Sequence, residues 1–384
     1  MVFLPDKADN SDKFLKDDIR SKSEKISPKG QKFLMSWIIG ILLIFFVVGS
    51  FMVGAVYEDK QSDIAKHMER MSPNLTESGL TPGEHNISTN NATKVFTGIY
   101  VDQIRDLSLS DSKWVVDFYI WFKWNGSNVD PGENLQIVDG NIIDKKIKDN
   151  YTYGTQHYQI YYVTAEISKF FDVLRFPVDN HVLTLEIEDE QNERSDLLFV
   201  AENDTSDFSS RIQIPGYKID KIAVIEKPHT YKSNFGDPRI NNNNTTFSQL
   251  RMGIDISRPD LGFYFRIFIG LFVAVAAALL ALFIKPTRVD PRFVLGSGAL
   301  FVAIANFIIT SELIPKTGIM TLADMVNNLG LILILVTLIE STISLYLYDK
   351  KGEKKLSWLM DRISVALLLV IYIVINVAIL AAAQ

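Results

Sequence analysis

The apolar run from Phe293 to Ile314 carries Ser297, Asn306, Thr310 and Ser311, with the small residues Gly296, Gly298, Ala303 and Ala305 among them. Polar groups at membrane depth are costly unless they face a partner or water, so one face of this segment is expected to turn away from lipid. Steps of three and four residues from Val294 pass through Gly298, Phe301, Ala305 and Ile308, a stripe that several subunits would close into a narrow, partly apolar pore gated by dewetting. Tight helix packing through small residues, with no pore, fits the same composition. Just ahead lies Arg288-Val289-Asp290-Pro291-Arg292, where the proline suits a first helical turn and the aspartate sits at the positive helix end. A ring of such aspartates would select cations, and an ordinary capping charge accounts for the same residue. A second group is titratable: His181, Glu186, Glu188, Asp189 and Glu190 offer a proton-sensing site or hard oxygen ligands for calcium or another divalent cation, and also suit a solvated face. Enzyme chemistry has less footing, because the sequence holds no nucleophile elbow, phosphate loop or His-Glu-x-x-His zinc motif.

The chain of 384 residues carries a net charge of -6 and no cysteine, and its mean hydropathy of +0.12 comes from apolar blocks. That charge gives no general basic footprint, so nucleic acid is not an expected partner. Disulfides, thiolate nucleophiles and cysteine metal sites are excluded, and no cofactor is expected. Leu34 to Val56 is long enough to cross ~30 Å of hydrocarbon. A polar tail, residues 1–33, precedes it and no small-x-small cleavage site closes it, which describes an uncleaved anchor. Residues 57–94 are rich in Asn, Ser and Thr, with Pro73 and Pro82, and read as a polar linker with one short helix at its start. From there to residue 260 the pattern alternates: Val116, Phe118, Ile120, Phe122 and Trp124 on one face, Asp117, Tyr119, Trp121 and Lys123 on the other. Runs at Tyr158 to Ile167, Val182 to Ile187 and Met252 to Ile256 are separated by turn residues, and together they predict an antiparallel β-sandwich.

Residues 261–384 hold four more apolar segments, about 262–284, 293–314, 322–348 and 363–384, each able to span as a helix. Lys and Arg crowd the N-terminal tail, the stretch from Lys285 to Arg292 and the stretch from Lys350 to Arg362, while the opposite loop holds Lys316 alone. The positive-inside rule therefore predicts a multi-pass protein with a cytoplasmic N-terminus and with the sandwich and C-terminus outside.

Three stretches resemble the pentameric ligand-gated ion channels, especially their prokaryotic members. Phe176-Pro177-Val178-Asp179-Asn180-His181 is similar to the family's Phe-Pro-x-Asp-x-Gln loop, with His181 where glutamine is usual. The missing flanking cysteines match the prokaryotic branch. Ile314-Pro315-Lys316-Thr317, with Met320-Thr321 after it, resembles the link between the second and third channel helices. Ile254-Asp255-Ile256-Ser257-Arg258, with Tyr264 and Arg266 beyond, resembles the last outer strand entering the first channel helix, although Gly270 replaces a usual proline. The likeness runs from about Val95 to the C-terminus and leaves out the span at Leu34 to Val56.

The resemblance implies a homopentamer around a pore lined by the Phe293 to Ile314 helix, passing ions, surrounded by membrane lipids and gated by a small molecule, a proton or a divalent cation. Val294, Gly298, Phe301, Ala305 and Ile308 fall at pore-facing positions with Ser297 beside them, and Phe301 and Ile308 are the bulky gate candidates. Asp290 matches an acidic cation-selective ring, whereas Arg292 and Gly296 resemble the anion-selective pattern; cations are favoured. Coupling between outer domain and pore is implied at Asp111, Asp179 and Arg258 as a charged cluster, with Pro177, Pro315 and Lys316 at the junction. Agonists of the family bind in aromatic cages between subunits. Tyr119, five residues before Trp124, and Tyr231 and Phe235, before Asn241 to Asn244, match contributing positions, whereas no Trp-x-Pro-Asp motif occurs in Gln136 to Tyr153. A membrane-anchored sensor that conducts nothing is the rival expectation.

Overall fold

A strand that buries one face needs apolar residues at every second position, and Lys113–Asn125 supplies them. Trp114, Val116, Phe118, Ile120, Phe122 and Trp124 all point into the core. In the computed structural model, which describes residues 26–76, 88–126, 129–236, 244–316 and 318–384, this strand is β2 and sits inside a six-stranded sheet. β1 (Thr93–Ser108) and β5 (Gln156–Ser168) flank it, β4 (Gly140–Tyr153) pairs outside β5, and β7 (Leu197–Ala201) and β8 (Asp207–Phe208) pair with β1. A four-stranded sheet is ordered β3 (Leu135–Ile137), β6 (Asn180–Asp189), β10 (Thr245–Ser257), β9 (Lys218–Tyr231). Within the six-stranded sheet Phe122 of β2 meets Phe199 of β7 at 6.3 Å between ring centres, and Leu183, Leu185, Val224, Leu250 and Met252 of the four-stranded sheet complete the interior.

The pairing is not antiparallel throughout. β7 and β8 both run parallel to β1, because the chain from β6 crosses to the other sheet before pairing again; strand alternation says which face is buried and not the direction of a neighbour.

The chain divides into two compact units: residues 58–263 with 312–319, and residues 1–57 with 264–311 and 320–384. The first is the sandwich. The second is helical, and its described helices are long and apolar enough to cross a membrane. These are α2 (Gly262–Ala281), α3 (Val289–Ser311), α4 (Leu322–Asp349) and α5 (Lys354–Ala383), together with α1 (Pro28–Met71). A capping box at Thr321 and Asp324 starts α4. α3 begins four residues before Phe293, so Asp290 and Pro291 lie in its first turn.

α1 departs from expectation. It continues as one helix of 44 residues through Met71, where a linker with a short helix was expected; its first part belongs to the helical unit and Glu58–Met71 to the sandwich unit. Pro82 lies outside the described residues.

Candidate functional site

Asp179 ends the loop that links β5 to β6. Its carboxylate is 1% exposed and accepts from His181 Nε2 at 2.6 Å, Tyr217 Oη at 2.6 Å and Arg258 Nε at 3.1 Å. Burial alone would raise this carboxyl, and the His181, Arg258 and Tyr217 contacts more than reverse that, holding it well below the usual carboxylate range. Tyr217 moves the other way: burial first and the Asp179 charge second push its hydroxyl up. The Arg258 guanidinium lies 3.8 Å from the Tyr217 ring centre, 4.3 Å from Phe263 and 5.6 Å from Phe176, a cation among ring faces. Its Nη1 donates to the Gly216 carbonyl at 3.2 Å. Gly216 has φ of +78° and a Cβ there would lie 2.7 Å from Arg258 Nη1, so this approach needs glycine.

Asp111 does not join this cluster. It occupies the exposed turn between β1 and β2 and accepts from Ser108 Oγ at 2.8 Å. Arg258 therefore sits between one carboxylate and three rings rather than between two carboxylates. Pro177 follows the buried Phe176 through a cis peptide bond. Pro315 is buried and Lys316 exposed in a segment that clusters with the sandwich; Thr317 lies outside the described residues.

The extension of α1 reaches the same loop. Arg175, two residues before Pro177, pairs with Asp63 and lies 3.5 Å from Asp59. Lys66 approaches Asp172 at 3.5 Å, and His67 meets Asp63 at 3.2 Å. The helix end is capped by cations of the sandwich: Lys227 Nζ donates to the Glu69 carbonyl at 2.6 Å and Arg251 Nη1 to the Arg70 carbonyl at 3.0 Å, as orphan carbonyls and the negative helix end require. Met71 fills the notch at Gly253, where a Cβ would lie 2.5 Å from its Sδ.

α3 has two unlike faces. Arg292, Gly296, Ala299, Ala303 and Thr310 are buried inside the helical unit, and a Cβ on Gly296 would lie 2.5 Å from Leu338. Val294, Ser297, Gly298, Phe301, Ala305 and Ile308 are exposed, with Phe301 at 73% and nothing within 4 Å of a Cβ on Gly298. The polar residues divide between the faces. Asn306 donates to Asn327 at 3.0 Å, and Asn327 donates to Thr310 at 2.9 Å, so these serve helix packing; Ser297 and Ser311 return their hydroxyls to their own helix backbone. Asp290 is exposed in the first turn. Arg292 is 1% exposed and holds Asp361 in a two-pronged pair at 2.8 and 3.0 Å, with Ser341 at 3.0 Å. Its charge is engaged inside the unit, away from the exposed stripe.

On the four-stranded sheet, Tyr231 donates to Glu188 at 3.0 Å and His229 Nδ1 lies 2.6 Å from Glu188. Phe235 and Phe247 meet the Tyr231 ring edge-on at 5.3 and 5.7 Å. Burial would lower the His229 imidazolium, and the hydrogen bond and charge of Glu188, with Glu186 beyond, raise it instead. Tyr231 and Phe235 are thus brought together, whereas Tyr119 lies on the other sheet against Tyr162 at 4.8 Å. Asn241 to Asn243 lie outside the described residues. Two members of the acidic run are used internally: Glu188 serves His229, Tyr231 and Gln249, and Asp189 accepts from the Gln191 and Asn192 backbone. Among the described residues no group of three or more His, Cys, Asp or Glu is placed to hold a metal ion.

The sequence missed Arg175, Asp59 and Asp63, Tyr217, and the Glu188 to His229 pair. Only the Asp59 and Asp63 spacing, one helical turn apart, was a readable sign. No protein-family model matches the chain and no curated protein matches its sequence.

Proposed function

We propose that the chain is a subunit of a homopentameric, ligand-gated, cation-selective channel whose pore is lined by α3. The observation that carries this reading is the exposed stripe of Val294, Ser297, Gly298, Phe301, Ala305 and Ile308, opposite a face closely packed in its own unit. Five such stripes around an axis form a narrow duct with a hydroxyl ring and with Phe301 and Ile308 as apolar constrictions. The engagement of Arg292 by Asp361 leaves Asp290 as the charge at the helix start, which favours cations. The Asp179 to Arg258 cluster, at the end of the sandwich where α2 begins, is the coupling element, with Pro177 and Pro315 at the junction. The Tyr231, Phe235 and His229 group forms one wall of an agonist site whose other wall, from a neighbouring subunit, carries Tyr119. The orientation is that of a cytoplasmic N-terminus and an outer sandwich.

The test is ionic current from purified protein in planar bilayers, with pH, calcium and cationic agonists stepped. Asp290→Ala shifts the reversal potential and Phe301→Ala shifts gating. Silence in every condition from a folded oligomer favours the non-conducting sensor.

A further inference from the structure

The basic end of the helical unit contains a cavity of about 400 Å³. It is formed by the segment after α2, the end of α4 and the first turns of α5. Lys285, Lys354, Lys355 and Arg362 line it, against a single lining carboxylate, Asp361, which Arg292 already neutralises. Arg362 is held in place: its guanidinium lies 4.2 Å from the Phe283 ring centre and 6.0 Å from Trp358. Lys354 stands 5.6 Å from the Tyr348 ring centre.

Two features of this cavity point to one occupant. Its excess of cations, including a guanidinium whose fork matches two oxygens of one anion, suits a phosphate group. Beside them, Trp358 and Phe283 are 47% and 49% exposed, an amphipathic ring and an apolar one at the ends of membrane spans, where tryptophan sits at headgroup level. A free phosphate satisfies the cations and leaves this apolar wall open. A phospholipid covers both.

We propose that this cavity binds the headgroup phosphate of an anionic glycerophospholipid, with the glycerol and upper acyl chain against Trp358 and Phe283. The inference needs only the membrane spans and stands whether or not the chain conducts. It predicts a bound lipid at each copy of the chain, selected by charge.

The experiment is native mass spectrometry of the full chain in neutral detergent, titrated with phosphatidylglycerol and, separately, phosphatidylcholine. Wild type retains phosphatidylglycerol in preference. In Lys354→Gln/Lys355→Gln, both outside the packed core, affinity falls about thirty-fold, about five-fold for each basic group near a membrane surface. Arg362→Gln, with an unchanged far-ultraviolet spectrum, also weakens binding and serves if the double variant misfolds. Equal retention of the two lipids, or retention untouched by folded variants, overturns the proposal. So does displacement by inorganic phosphate alone, which makes the cavity a phosphate site with no lipid specificity.

Discussion

Arg258→Met removes a charge while keeping most of the stem, and the structure sets what that costs. Asp179 is left as a carboxylate 1% exposed with its guanidinium partner gone. Breaking a buried ion pair costs about 3–5 kcal/mol, and the ring contacts at 3.8 and 4.3 Å add about 1 kcal/mol more. His181 and Tyr217 remain bonded to the carboxylate and offset part of the loss. The expected result is local destabilisation of about 3 kcal/mol, or about 150-fold faster amide exchange in residues 171–181 by hydrogen–deuterium exchange on the full chain. Adding Asp179→Asn removes the stranded charge, so the double variant exchanges more slowly than the sum of the singles requires, by about 2 kcal/mol of coupling. Because the Asp179 carboxyl is held low in the folded state, its contribution is complete above the unfolded value near ~4 and is lost only as pH falls through the folded one. The share of this loop's protection that Asp179 supplies is thus the same in neutral and mildly acid conditions, so the Arg258→Met effect on exchange has the same size in both. Additive singles, or a loop that does not respond to Arg258→Met, refute the idea that one buried pair fixes this loop.

The α1 extension yields a second prediction: Arg175→Ala removes the guanidinium shared by Asp59 and Asp63, leaving Asp63 with His67, and raises protease cleavage within residues 58–71, as does Gly253→Val, which fills the Met71 notch; no change in cleavage shows that the helix is not held there. The third concerns His229, whose protonated form is favoured by Glu188. A raised folded value places its stabilisation fully below the unfolded value near ~6.5 and removes it as pH rises through the folded one. Exchange at the β9 to β10 end therefore quickens with rising pH beyond the intrinsic rate, and His229→Gln abolishes that excess.

Much of the sandwich was legible because apolar residues at every second position mark a buried face, as from Trp114 to Trp124 in β2 and from Leu250 to Ile256 in β10, although both faces of β10 are buried. The Asp179 to Arg258 pair was legible only through resemblance, since its members are separated by 79 positions and nothing local links them. The stripe on α3 was read from spacing, but its polar residues were not assignable to a face: Asn306 and Thr310 are committed by Asn327 on another helix. Arg292 shows the same limit, because its neighbour in sequence, Pro291, is exposed while it is buried. The charged residues of α1 after Val56 resemble a linker, and their partners Arg175, Lys227 and Arg251 lie far along the chain, where no local pattern links them.

The cap on α1 also sets an order of events. Its last carbonyls wait for Lys227 and Arg251, which follow 158 and 181 positions later. At about 5–20 residues per second of synthesis, the helix end emerges some ~8–36 s before its partners exist. Until β9 and β10 are made, that end must be solvated or held by something else, so a helix made early is among the last elements to be finished.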